Sequence, residues 1–277
     1  MTRLLIIGSS HVAAYKNASD TFAAEQPDID ITFFGLRGPL FLTGQIDDKG
    51  VFVPPYRDDS DRSLAETTNG QATIDASGYD HVLMVGHRFA FTHFPVLLED
   101  HDILGGMRTD RPRLLSEAML YDTITSVTQT SVDEAAAAVA NLNRRVTFAM
   151  APYPATSITE RAPGFELARL LQTFWARPDA AWVTEMWLTA LRAALSNHGH
   201  HLLEQPEALN DGAFATKPAF ASQAAAMAGD TLGKTDHRHM NADFGLAMLR
   251  AYADTILGVS EAPNNNDTSK TLNERIA

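Results

Sequence analysis

The chain of 277 residues has no cysteine, which excludes disulfides, zinc–thiolate sites, iron–sulfur clusters and cysteine nucleophiles. Basic residues are also scarce, since 22 Lys and Arg stand against 34 Asp and Glu and leave a formal net charge of −12. A surface of that sign repels a phosphate backbone, so we expect no nucleic-acid partner.

Long apolar runs are missing as well. No segment approaches the roughly 18 apolar residues of a membrane span, so we expect no membrane partner. Leu4–Ile7 follows Arg3 as in a signal peptide, but Gly8–His11 interrupts the run, and a secretory core needs about 7 to 15 apolar residues. We therefore predict a cytoplasmic protein. Its content of 45% hydrophobic and 20% charged residues is typical of a globular chain.

Short apolar runs alternate with segments of helical spacing. The runs predicted to be buried strands are Leu4–Ile7, Ile31–Phe34, Val82–Val85, Val146–Met150 and His201–Glu204. The segments predicted to be helical are Leu114–Leu142, as one helix or two, Val183–Leu195, and Asn241–Leu257. This alternation predicts an α/β fold, a three-layer α/β/α sandwich around a mostly parallel sheet of about five strands, as in flavodoxin.

We expect one domain over residues 1–259 with two excursions. The first, at 40–79, is polar and contains a turn at Asp47–Gly50, which favours a hairpin. The second, at 89–112, is predicted to be a lid or substrate loop. The polar segment 260–277 has no periodicity and is expected to be flexible.

Ser10 is the first candidate catalytic residue. It follows the first predicted strand, and ligands of open α/β sheets lie at the carboxyl ends of the strands. The backbone N–H groups at the start of the next helix would stabilise negative charge there, which suits a serine nucleophile. The motif alone favours the alternative, in which Ser10 is only a helix N-cap, since serine is very common at that position.

Asp236 and His239 form the second candidate feature. Three residues apart, they can touch on one short turn, where Asp236 would orient the His239 ring and His239 would act as a general base. The alternative is a local cap followed by a surface histidine.

Taken together, these blocks resemble the SGNH hydrolase family, also called GDSL-type esterases, from Leu4 to about Leu257. The family's first block, Gly-Asp-Ser or Gly-Asn-Ser, reads Gly8-Ser9-Ser10 here, and its last block, Asp-x-x-His, is intact. Gly35–Gly38 looks like the second block, whose glycine N–H, here that of Gly38, contributes to the oxyanion hole. Ala151–Pro154 looks like the end of the family's fourth strand.

The third block departs from the family pattern. Gly-x-Asn is replaced by Gly86-His87-Arg88, so arginine stands where an oxyanion-hole asparagine is expected. Arg88 can donate to the oxyanion, bind an acidic group of the substrate, or belong to a rebuilt loop that does not reach the site. The loss of one oxyanion donor costs about 10²–10³ in rate.

The resemblance implies a serine hydrolase that cleaves small or carbohydrate-linked O-acyl esters without a cofactor or metal. Ser10 attacks, His239 takes its proton, Asp236 orients His239, and the N–H groups of Ser10 and Gly38 hold the oxyanion. Two alternatives stay open: transfer of an acyl group from a thioester to a sugar hydroxyl, or a non-catalytic binding protein on the same fold. The sequence also leaves a homo-oligomer open.

The remaining histidines are weaker candidates. His11 either lines the pocket or lies on the surface, and His87 either supports the site or is a loop residue. The cluster of His198, His200 and His201 lacks a His-Glu-x-x-His motif, so we expect no metal there. The apolar stripe that includes Trp187 is expected to be core.

Overall fold

The structure, a computed structural model, describes residues 1–106, 108–161, 165–222 and 236–258, with the backbone only at 161, 236 and 237. The predicted tail at 260–277 lies outside these ranges. The helices are α1 (Val12–Glu25), α2 (Gly38–Leu42), α3 (Asp59–Asn69), α4 (His93–Leu97), α5 (Glu117–Val139), α6 (Ile158–Arg161), α7 (Glu166–Trp175), α8 (Ala180–Asn197) and α9 (Ala242–Tyr252). The strands are β1 (Thr2–Gly8), β2 (Ile29–Gly35), β3 (Gln45–Ile46), β4 (Val51–Val53), β5 (Ile74–Asp75), β6 (His81–His87), β7 (His101–Ile103), β8 (Arg113–Leu115), β9 (Thr147–Met150), β10 (His201–Leu203), β11 (Ala221–Ser222) and β12 (Asp236–Met240).

The central sheet has the order β10-β9-β6-β1-β2, and every neighbouring pair in it is parallel. All five predicted strands are confirmed, each within two residues at either end. Their apolar runs are continuous because both faces of the sheet are covered. Along β1, Leu5 and Ile7 pack on the side of α5 and α8, whereas Leu4 and Ile6 pack on the side of α1 and α9. The predicted three-layer sandwich is therefore confirmed.

The sheet reverses its strand order next to β1. The chain passes from β1 to β2 on one side and later places β6 on the other. The loops that follow β1 and β6 therefore diverge and leave a crevice at the carboxyl edge, where open α/β folds bind their ligands. A side chain at Gly8 would bring its Cβ within 2.3 Å of the Val85 carbonyl oxygen, so the close approach of these two strand ends requires glycine.

The first excursion contains the predicted hairpin. β3 and β4 pair antiparallel around the Asp47–Gly50 turn, in which the Asp47 side chain accepts hydrogen bonds from two backbone N–H groups. The same excursion also contains α2, α3 and β5, which the sequence reading did not predict.

The second excursion is largely core. Phe89, Phe91 and Phe94 are buried, and the last two contact Trp187 across the face covered by α8. The lid interpretation is therefore wrong for the first half of this segment, because its aromatic side chains are anchored in the interior.

Two helix boundaries also differ from the prediction. The long helix begins at Glu117, where the Ser116 side chain caps the Met119 N–H, and Leu114 belongs to β8 instead. The last helix ends at Tyr252 and continues as a π-helical turn to Leu257. None of the helices in the described ranges combines the length and hydropathy needed to cross a membrane.

Candidate active site

The structure brings Ser10 and His239 together although 229 residues separate them in the chain. Ser10 is exposed in the turn between β1 and α1, at the carboxyl edge of the sheet. Its Oγ lies 2.6 Å from Nε2 of His239, within hydrogen-bond distance. When His239 carries its proton on Nδ1, Nε2 accepts a hydrogen bond from the serine hydroxyl, which is the geometry of a nucleophile and its base.

Close packing of α1 against α9 fixes this arrangement. A Cβ at Gly245 would lie 2.0 Å from the Ala14 carbonyl oxygen, so only glycine lets the two helix backbones approach this closely. Asn241 caps α9 by accepting from the Phe244 N–H, and its Nδ2 donates to the Ala219 carbonyl. The junction that carries His239 is therefore tied to the helix that follows Ser10.

Asp236 begins the bulged strand β12, and residues 237–239 form the bulge between its two paired positions. β12 pairs antiparallel with β11, and its register shifts so that adjacent residues Ala221 and Ser222 oppose Met240 and Asp236. The pairing with β11 holds the segment extended at its two ends. The Asp236 side chain is outside the described residues, so its contact with His239 remains a prediction.

His11 lies beside His239. Its ring is half-buried, with its centroid 5.0 Å from that of His239 and the two planes tilted by 37°. The structure therefore places His11 at the wall of the site. Its function there remains a prediction.

Ser10 and Gly38 follow β1 and β2, two neighbouring parallel strands of the central sheet. Gly38 is the first residue of α2, and Leu36 donates from its N–H to the Gly8 carbonyl at 2.9 Å, which ties the loop after β2 to the end of β1. Among the described residues, no protein acceptor takes a hydrogen bond from the N–H of Gly38 or Ser10. These are the groups that the resemblance assigned to an oxyanion hole.

Asn69, which the sequence reading missed, braces the same loop. Its Oδ1 accepts from the Gly35 N–H at 2.8 Å, and its Nδ2 donates to the Gly35 carbonyl at 2.9 Å. The reciprocal pair of bonds joins the end of α3 to the end of β2. No pattern around Asn69 in the sequence indicates this partner.

Gly86 allows the third block to approach Ser9. Its φ is +115°, and an added Cβ would lie 2.2 Å from the Ser9 Oγ. The pairing of β6 with β9 shifts here from Val85 opposite Ala149 to His87 opposite Met150. A glycine bulge therefore ends the strand that lines the crevice opposite Ser9.

The His87 ring packs in the core. It contacts the rings of Phe41, Phe89 and Phe148 at centroid distances of 4.8 to 5.4 Å. Burial lowers the pKa of His87 to about 4, so the imidazole is neutral at pH 7. The sequence analysis predicted that His87 supports the site, and its packing against these rings is consistent with that. A role of His87 toward substrate remains a prediction.

Arg88 is exposed on a rigid loop. The next two residues have positive φ values, 44° at Phe89 and 64° at Ala90, and Trp187 Nε1 donates to the Phe89 carbonyl at 2.9 Å. Partial burial and then the positive charge of Arg238 lower the pKa of Arg88. Arg238 directly precedes His239 in β12.

The histidine cluster lies away from this edge. His198 contacts Asp133 at 2.7 Å, and His201 contacts Arg145 at 3.0 Å near the amino end of β9. His198 and His200 line a cleft of about 490 Å³ there. Within the described ranges, no three His, Asp or Glu side chains are grouped as metal ligands.

No family model and no curated protein matches the chain. The chain is similar to the lipopolysaccharide acetyltransferase periplasmic domain of Salmonella ser. Paratyphi A, at 15% identity and a TM-score of 0.42 over 92% of this chain and 83% of that one. A candidate SGNH hydrolase from Slackia heliotrinireducens is 16% identical, with a TM-score of 0.39 over 92% and 98% of the two chains. A Lactobacillus plantarum protein is 13% identical, with a TM-score of 0.35 over 92% and 97%. Likeness at this level carries no argument about the reaction.

Proposed function

We propose that the chain is a serine-dependent esterase that cleaves O-acyl esters through an acyl-enzyme. The contact between Ser10 Oγ and His239 Nε2 at 2.6 Å carries this proposal. A serine hydroxyl becomes a competent nucleophile when an adjacent imidazole can accept its proton. The pair also stands at the crevice where β1 and β6 diverge, which is the ligand-binding edge of this class of fold.

In the proposed reaction, Ser10 Oγ attacks the ester carbonyl carbon while its proton passes to His239 Nε2. The tetrahedral intermediate collapses as the alcohol leaves with that proton, and the acyl group remains on Ser10. Water then attacks the acyl-enzyme with His239 as base, and the acid is released. Asp236 would orient the imidazole and stabilise its cationic form.

The N–H groups of Ser10 and Gly38 would hold the oxyanion. Support comes from their lack of a protein acceptor among the described residues and from the bond that ties the loop after β2 to β1. Hydrogen-bond donors that are already positioned where negative charge develops often make the largest contribution to stabilising the transition state of acyl transfer. No cofactor enters this scheme.

Water is the proposed acceptor because Ser10 is exposed. The resemblance suggests small or carbohydrate-linked esters as substrates. Transfer from a thioester to a sugar hydroxyl would use the same acyl-enzyme with another acceptor, and competition between water and a sugar acceptor distinguishes the two.

The test is an intact mass measured after incubation with a fluorophosphonate probe. We expect one adduct on the wild type and none on Ser10→Ala. Ser9→Ala is the matched control, since the buried Oγ of Ser9 neighbours the site without touching His239, and it should keep the adduct. Ester hydrolysis should fall by about 10³-fold or more in Ser10→Ala. An unlabelled wild type, or an adduct that persists in Ser10→Ala, would overturn the proposal.

A further inference from the structure

The His11 ring contacts the ring of the proposed base. Their centroids are 5.0 Å apart and their planes are tilted by 37°, which is within the range of an aromatic pair. His11 directly follows Ser10 in the chain, and Ser10 Oγ lies 2.6 Å from Nε2 of His239. His239 therefore meets Ser10 through one ring nitrogen and meets His11 through its ring.

The backbone around His239 does not by itself fix the direction of the imidazole. β12 pairs with β11 at Asp236 and at Met240, and residues 237–239 form the bulge between these two positions. The His239 side chain is only half-buried. Such a side chain can turn about two torsions, and only orientations that direct Nε2 at Ser10 are productive. Contacts with neighbouring side chains must select the productive orientation.

His11 is well placed to make such a contact because its own position is fixed. It is the N-cap residue of α1, and its carbonyl accepts a hydrogen bond from the Ala14 N–H at 3.3 Å. Its ring atom Cδ2 lies 3.5 Å from the place that a Cβ on Gly86 would take, so the ring also lies beside the end of β6. The start of a helix and the end of a central strand thus hold this ring next to His239.

We propose that His11 is a positioning residue whose ring holds the His239 imidazole with Nε2 directed at Ser10 Oγ. The inference rests on the proposed function for the reaction at Ser10. It adds to the role proposed for Asp236, since a carboxylate at Nδ1 selects the tautomer of an imidazole, whereas a ring contact restricts the rotation of its plane. A catalytic group misplaced by about 1 Å can cost about 10²-fold in rate, so the loss of this contact should be measurable.

The test compares two substitutions of His11. Phenylalanine keeps an aromatic ring and loses both ring nitrogens, whereas alanine loses the ring as well. The His11 side chain makes no capping hydrogen bond, so neither variant removes a cap from α1. His198→Ala is the control, because it removes a histidine near the amino end of the sheet. If His11→Ala does not fold, His11→Gln, which also lacks an aromatic ring, takes its place.

The first measurement is the hydrolysis of phenyl acetate together with the rate of fluorophosphonate labelling. We expect His11→Ala to lose about tenfold in kcat and in labelling rate with little change in KM. His11→Phe should recover most of that loss, and His198→Ala should match the wild type. Unchanged rates in His11→Ala would overturn the inference. Equal losses in both His11 variants, or a change confined to KM, would also overturn it, because they would assign the effect to the ring nitrogens or to substrate binding.

The second measurement keeps the two proposals separate. Crystal structures of His11→Ala and His11→Phe report the distance between Ser10 Oγ and His239 Nε2 without any turnover. We expect a hydrogen bond in His11→Phe and a separation beyond hydrogen-bond distance in His11→Ala. If the wild type gives no fluorophosphonate adduct, the esterase proposal falls, and these structures still decide whether His11 positions His239. An adduct combined with the wild-type distance in His11→Ala removes the positioning role alone.

Discussion

The buried imidazole of His87 should make the stability of the protein depend on pH. Burial among three phenylalanine rings lowers its pKa in the folded state to about 4 from the ordinary 6.5. Between these two values the unfolded chain binds a proton that the folded chain does not. The free energy of unfolding therefore falls as the pH drops through that window and is fully present only above pH 6.5.

The size of the effect follows from the shift. Folding lowers the pKa of His87 by about 2.5. Since a change of one in pKa corresponds to about 1.36 kcal/mol, His87 can contribute at most roughly 3 kcal/mol to the free energy of unfolding. By pH 4.5, about 2 kcal/mol of it should be lost relative to pH 7. That is a large part of the 5–15 kcal/mol that stabilises an ordinary domain.

The assay is urea unfolding at pH 7 and pH 4.5 for the wild type, His87→Phe and His87→Gln. Neither variant can take up the proton, so each should lose about 2 kcal/mol less than the wild type over this range. Other groups, including His200 and His201, whose pKa values burial also lowers, titrate in all three proteins and cancel in the comparison.

Two variants separate protonation from packing. Phenylalanine suits the aromatic cluster and glutamine does not, so their stabilities at pH 7 will differ. The imidazole Nε2 has no hydrogen-bond partner among the described residues, so neither variant breaks a bond at that atom. If both variants lose as much stability as the wild type between pH 7 and pH 4.5, the reasoning about His87 is refuted.

Three further substitutions test how the site is held. Gly86→Ala would place a Cβ 2.2 Å from the Ser9 Oγ at a φ of +115°. The variant should therefore lose about 1–3 kcal/mol of stability and react more slowly with the fluorophosphonate. A thermal melt that matches the wild type would count against this. Trp187→Phe removes the buried donor to the Phe89 carbonyl and should lower the free energy of unfolding by about 1–3 kcal/mol in urea, and an unchanged midpoint would argue that the bond is dispensable. Asn69→Ala breaks both hydrogen bonds to Gly35 at the end of β2. It should reduce kcat for a neutral ester by about tenfold, because the loop that carries Gly38 follows Gly35. A change confined to KM would show that Asn69 does not position this loop.

The sequence was sufficient to predict the central sheet. A strand buried on both faces has to be apolar along its whole length, so runs such as Leu4–Ile7 and Val82–Val85 stand out without knowledge of their neighbours. The short polar break at Gly8–His11 likewise identifies the turn after the first strand. The strands and this turn are determined by residues that are close together in the chain, so the sequence pattern is enough to predict them.

Elements whose form depends on distant partners were predicted less well. The segment around Asp236 reads as a turn along the chain, and the pairing of its two ends with β11 could not be predicted because β11 supplies those partners from elsewhere in the chain. The segment that begins at Phe89 was predicted to be a lid because the later part of it is rich in polar residues and glycine. It is anchored instead by aromatic side chains whose partners lie on α8.

The sequence by itself therefore determined the strands, the layers and the identity of the candidate pair, Ser10 and His239. Only the tertiary structure decided that the pair meets at 2.6 Å and that His87 is buried. The physical reason is that strand order determines which loops become neighbours. Burial, charge coupling and hydrogen bonding between those loops depend on distances in space, which the order of residues along the chain does not specify.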